Sequence, residues 1–265
     1  MQKDLTTGSV FKNVLYFSLP YLLSYFLQTL YGMADLFIIG QFEGTASITA
    51  VSIGSQLMHM ITVMLVGLAM GVTVGIGRAV GAHDERGAGA VIGNAVTLFL
   101  AVSVVLAAVL TALVQPILSI MSTPAEAVPG AAAYLTICFI GIPCITAYNI
   151  IASIFRGLGD SRSPMYFIAV ACAANIALDY LFMGALHLGP AGAALGTTLA
   201  QGISVAVSLV VILRRKSGVR LRKSYLLPKK PVTGRILRIG VPVALQDGLI
   251  QISFFSSRSL LTGAA

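Results

Sequence analysis

The chain has 265 residues, 57% hydrophobic and 10% charged, with a formal net charge of +8. This composition lies far outside the soluble globular range, and multiple membrane spans are the only class that fits it. The positive charge raises nucleic acid and anionic lipid as partners; the placement of the charges, taken up below, decides against nucleic acid.

The polar N-terminus, MQKDLTTGSVFKN, precedes an apolar run too long for a signal-peptide core and without a small-residue cleavage site. The run predicts a retained first helix over about Val14 to Ile39. Pro20 near its start removes a backbone hydrogen bond and permits a kink. Asp35 lies near its far end. After the short loop GQFEGTAS, a second span is predicted from about Thr49 to Gly77, with Gly67, Gly71 and Gly75 as a small-residue stripe for close packing. The charged loop Arg78 to Ala88 leads to a third span, about Ala90 to Leu113. A fourth span, about Ala131 to Phe155, has Pro143 at its middle, and the turn RGLGDSRSP follows.

The fifth span holds the main functional signal. The run VACAANIALDYLFMGAL, Val170 to Leu186, carries Asp179 and, one helical turn earlier on the same face, Asn175. A carboxylate deep in a span costs roughly 2.5–3.5 kcal/mol on insertion scales, and is tolerated where it faces a bundle interior or a watery cavity. A sixth span runs from about Ala191 to Leu213 and starts with Gly192, Gly196, Thr197, Thr198 and Gln201. Cys138, Cys144 and Cys172 lie in apolar runs without CxxC spacing and read as small buried hydrophobes.

Sixteen of the 17 Lys and Arg fall in the N-terminus, alternate loops, and the stretch from Arg214 to Arg238; the intervening loops carry none. The positive-inside rule makes that side cytoplasmic, N-terminus included, and supports six complete spans. The basic stretch is then an orientation signal and headgroup contact, with no nucleic-acid partner. Beyond it, Ile236–Pro242 (ILRIGVP) matches Val14–Pro20 (VLYFSLP) and suggests the start of a second, parallel copy. Arg258, about 27 Å further along that helix, falls near the outer interface. The expected organisation is an all-α polytopic membrane protein. It comprises a six-helix lobe over 1–213, a basic cytoplasmic linker over 214–238, and a truncated first helix of a second lobe over 239–265. The chain thus reads as half of a larger protein.

Because successive spans alternate in direction, Asp35, Asp179 and Thr197 all fall in the outer half of the bundle. Two carboxylates, an amide oxygen and a hydroxyl are hard donors suited to Na⁺. Two close carboxylates can alternatively share a proton. A purely architectural reading, in which the acids tie helices together through hydrogen bonds, competes with both. His59 reads as a satisfied packing residue, and Gln28, Gln56, Tyr31 and Tyr148 as possible cavity lining. No GxSxG, HExxH or Walker A pattern occurs, which argues against a hydrolase or an ATP-driven pump. The chain is not expected to be an enzyme or to need a cofactor beyond a coupling ion.

Several stretches resemble the multidrug and toxic compound extrusion (MATE) transporters: LPYLLSYFLQTLYGMADLFIIG, GRAVGAHDERGA, FRGLGDSRSPM, NIALDYLFMGALHLGPAGAALGTTLAQ and IGVPVALQ. The resemblance implies twelve helices in two lobes, and export of mostly cationic amphiphiles against Na⁺ or H⁺. It implies that Asp35, Asn175, Asp179 and Thr197 form the amino-lobe cation site and that Pro20 is a hinge. The second lobe departs from the family after one helix, and Asp247 matches no carboxy-lobe coupling acid. The expected function is a cation-coupled drug antiporter of the cytoplasmic membrane, present here as one lobe. The alternatives are a lipid-linked-oligosaccharide flippase of the same broad superfamily and a non-transporting membrane fragment. Flippases favour a cationic central cavity, and the spans before Arg258 read as carrying only acids.

Overall fold

A computed structural model describes residues 9–214 and 225–262, the side chains of 252 and 254–262 aside. The N-terminal Lys3, residues 215–224 of the basic linker and the side chain of Arg258 lie outside the described residues. Among the described residues there are helices and no strands. In chain order these are α1 (Val10–Phe42), α2 (Thr45–Gly81), α3 (Glu85–Ala112), α4 (Val114–Ile120), α5 (Val128–Ile140), α6 (Ile142–Gly157) and α7 (Arg162–Asp179). A π-helical turn (Tyr180–Ala185), α8 (Gly189–Arg214) and α9 (Lys230–Thr262) follow. Five of these elements are long and apolar enough to cross a membrane, counting α7 with its π turn. A sixth span results if the bent pair α5–α6 is taken as one.

Three features depart from the expected spans. The fourth is broken at Gly141, where α5 and α6 meet at 49°. Pro143 has no N–H to bond back to Phe139, and a Cβ on Gly141 would crowd the Thr198 hydroxyl at 2.7 Å, so the break lets α8 cross closely. The fifth starts earlier than its apolar run, at Arg162, and ends in the π turn. α9 begins at Lys230, inside the stretch read as linker.

The turns explain the motifs. Asp84 caps α3, its Oδ1 accepting from the Gly87 N–H at 2.8 Å. In RGLGDSRSP, Gly159 takes a positive φ of 86°. Asp160 Oδ1 then accepts from the Arg162 and Ser163 N–H groups at 3.1 and 3.0 Å, which satisfies donors at the start of α7. Arg156 lies in the last turn of α6 before it, and Arg162 opens α7 after it. Both come to lie over rings of α1: Arg156 over Tyr21 at 5.5 Å and Arg162 over Tyr16 at 4.5 Å. Pro20 lies in α1 between those two rings.

The glycine stripe on α2 works as its spacing suggests. A Cβ on Gly67 would lie 2.9 Å from the Ala244 backbone, and one on Gly71 would strike the Ile236 carbonyl. Gly75 instead faces Val91 of α3. From the other side, Gly240 meets the Leu68 carbonyl and Gly248 meets Met64. α9 therefore packs backbone to backbone along the half of α2 nearest the basic loops. The segment leading into it is strapped to α3: Thr97 donates to the Leu226 carbonyl at 2.6 Å, and the Asn94 carboxamide bonds Tyr225, Lys229 and Thr233.

Candidate ion-coupling site

Asp35 comes from the far half of α1, Asn175 and Asp179 from the last turns of α7, and Thr197 from the third turn of α8. All four are buried, with Asp35 at 2% and Asp179 at 0% exposure. The Thr197 hydroxyl donates to Asp35 Oδ2 at 3.1 Å, with four spans between them in sequence. Asp35 also faces the Asp179 carboxyl and the Asn175 carboxamide. At strict hydrogen-bonding geometry, however, Asp35 Oδ1, both Asp179 oxygens and both polar atoms of Asn175 have no partner.

The local structure builds this arrangement. α7 gives way to π-helical turns immediately after Asp179, and the Leu186 N–H reaches back five residues to Leu181 at 3.0 Å. Such insertions often mark functional positions. Gly196 of α8 sits directly against Asp179 Oδ1, in space a Cβ would occupy. Tyr31 lies beside Asp35, Thr197 and Gln201, and its hydroxyl is also unpartnered. Cys138 of α5 is close to Asp35 as well; it is a free, buried thiol, as is Cys172, while Cys144 is only partly buried.

Leaving several buried oxygens unpaired costs about 1–3 kcal/mol each. The groups that act on the two carboxylates include no Lys or Arg. The set therefore lacks the internal cation that would neutralise a structural acid pair. Its unpaired oxygens are the hard donors that fit Na⁺ or a shared proton. Among the described residues no group of three or more His, Cys, Asp or Glu side chains converges as a transition-metal site would require.

The structure corrects two placements. His59 is not packed away: it lines a cavity of about 290 Å³ between α1, α2, α6 and α9, with Tyr21, Gln28, Tyr148, Asp247 and others. Arg156, read as a loop charge at the membrane surface, lines the same cavity. The bundle interior therefore carries a base as well as acids. Gly196, the π turn and Arg156 carried no distinctive mark in the sequence.

Fold and site together define an all-α polytopic membrane protein of the transporter type, with paired carboxylates buried between its spans. The chain belongs to the MatE family, which it matches over residues 20–181. It is 31% identical to "Probable multidrug resistance protein YpnP" of Bacillus subtilis (strain 168), over 92% of this chain and 54% of that protein. It superposes on a solved "outward-facing conformation of a multidrug resistance MATE family transporter" with a TM-score of 0.87, at 27% identity, covering 94% of this chain and 55% of that one. On the corresponding inward-facing structure the TM-score is 0.80, at 27% identity, covering 86% and 52%. The chain thus spans about half the length of the relatives it matches.

Proposed function

We propose that this chain is the amino-terminal lobe of a cation-coupled antiporter that exports cationic amphiphilic compounds, with its basic loops on the cytoplasmic side of the cytoplasmic membrane. One observation carries the reading: Asp35 and Asp179 are buried together, beside Asn175 and Thr197, with most of their oxygens unpaired and no base to neutralise them. A Na⁺ ion would find carboxylate, amide and hydroxyl oxygens at one point between α1, α7 and α8. A proton would be shared by the two acids. Either cation must bind more tightly in one state of the transporter than in the other, or it drives nothing. Pro20 provides the place where α1 bends between those states, carrying Asp35 relative to Asp179.

The flippase reading gains one base from Arg156, but Asp247 lines the same cavity and would repel a pyrophosphate. The test is ethidium efflux from cells expressing this lobe within a two-lobe protein, wild type beside Asp179→Asn. The amide preserves shape and a polar oxygen. Ion-driven efflux should collapse while membrane expression holds; wild-type efflux with wild-type dependence on the Na⁺ or proton gradient contradicts the reading. Expressed alone, the 265-residue chain should not confer efflux, because alternating access needs a second lobe to rock against. Efflux by the chain alone as a monomer would contradict this.

A further inference from the structure

Residues 225–229, which lead into α9, are not α-helical, and they lie across α3 at Gly93, Asn94 and Thr97. A Cβ on Gly93 would strike the Tyr225 carbonyl, so the backbone of this strap rests directly on the helix. Those α3 residues stand about 5 to 10 Å inside the apolar run that starts near Ala90, at 1.5 Å per residue. Unpaired backbone groups are costly at that depth. α3 supplies partners for three of them. Asn94 donates to the Tyr225 carbonyl at 3.3 Å, Thr97 donates to the Leu226 carbonyl at 2.6 Å, and Asn94 Oδ1 accepts from the Lys229 N–H at 2.5 Å.

The side chains of the strap divide by chemistry. Leu226 and Leu227 are 48% and 68% exposed, and the same turns of α3 expose Val96 and Leu100. This side of the bundle therefore presents an apolar surface at the depth where interfacial segments insert. Lys229 and Lys230 follow at once and are exposed, with stems long enough to carry their ammonium groups out to the headgroups. The sequence offers these bases no local acid: residues 214–238 hold ten Lys and Arg and no Asp or Glu. A phosphatidylcholine phosphate carries its own quaternary ammonium, whereas a phosphatidylglycerol phosphate has no such partner and is free to meet a lysine.

We propose that the 225–230 strap is a binding site for anionic phospholipid. Leu226 and Leu227 enter the acyl layer, and Lys229 and Lys230 hold the phosphate of a lipid whose headgroup has no cation. Asn94 also accepts from Thr233 in the first turn of α9, so a lipid held here bears on the joint that seats α9. The site depends neither on ion coupling at Asp179 nor on any exported compound.

The chain contains no Trp, so Leu227→Trp places a single indole reporter in the strap. The 265-residue chain carrying it is reconstituted in mixed phosphatidylcholine and phosphatidylglycerol bilayers, with bromine on the acyl chains of one lipid at a time. Brominated phosphatidylcholine alone should quench the emission. In the mixtures, brominated phosphatidylglycerol should compete for the reporter about threefold or more better than brominated phosphatidylcholine. Adding Lys229→Gln/Lys230→Gln should bring that ratio to about one while quenching persists. Lys12→Gln/Arg162→Gln removes the same charge from α1 and α7, which among the described residues pack against neither α3 nor α9, and should leave the ratio unchanged. Absence of quenching by phosphatidylcholine would show that the strap is not immersed and would overturn the proposal. So would equal competition by the two lipids, a ratio that survives Lys229→Gln/Lys230→Gln, or one that falls as far in the Lys12→Gln/Arg162→Gln control.

Discussion

At the scale of single residues, Asp179 is the side chain whose environment is hardest to explain without a ligand. It is fully buried, both its oxygens are unpaired, and Gly196 leaves only enough room for it. If Asp35 and Asp179 serve one cation, their losses are not additive: efflux in the Asp35→Asn/Asp179→Asn double variant should be little worse than in either single variant. Independent sites would instead give multiplied losses. Asn175→Ala removes one neutral ligand and should weaken the apparent Na⁺ or H⁺ affinity while leaving residual coupled efflux. Gly196→Ala puts a methyl where the Asp179 carboxylate sits, so it should impair coupling without touching any polar group; wild-type ion dependence in that variant would show that the close approach is unimportant. The acids were legible in the sequence because a bilayer makes any charge in a long apolar run conspicuous. Arg156 was not, because a base at a helix end beside a loop has the signature of an orientation signal. Its place in the last turn of α6 brings it over Tyr21 of α1 and into the cavity.

Among the elements, the spans were readable from hydropathy, and a close-packing face on α2 from the spacing of Gly67 and Gly71; that α9 is the partner was not. What remained hidden depends on neighbours. Pro143 stands at the middle of the fourth span, but the break itself falls at Gly141, where Thr198 of α8 approaches. The π turn after Asp179 has no residue code of its own. The strap on α3 joins residues more than 120 apart in sequence, through Asn94 and Thr97, which read as ordinary polar residues in a span. Gly71→Val should push α9 off α2, since its side chain would strike the Ile236 carbonyl. Disulfide formation between Met64→Cys and Gly248→Cys, which adjoin in the parent, should then be lost; an unchanged yield would show that α9 is held elsewhere. Asn94→Ala removes the partners of Lys229 and Thr233 and should cost about 1–3 kcal/mol, seen as faster proteolysis of the 225–233 segment.

For the whole molecule, the ends of the bundle differ in charge. The ends of α2, α6 and α8 and the starts of α1, α3, α7 and α9 gather at one end with the basic residues, and the carboxylate cluster lies toward the other. In a background without the three native cysteines, Gly44→Cys should label from outside intact cells and Ala82→Cys should not. The reverse would invert the orientation and place the cluster on the cytoplasmic side. The central claim is that Asp179 and its neighbours exchange a cation. Infrared difference spectra of the membrane-embedded chain, recorded as Na⁺ or pH is changed, observe carboxyl protonation directly. The account predicts a protonated-carboxyl band in wild type that responds to Na⁺ or pH and is lost or displaced in Asp179→Asn. Identical carboxyl spectra in the two proteins under both changes would contradict it.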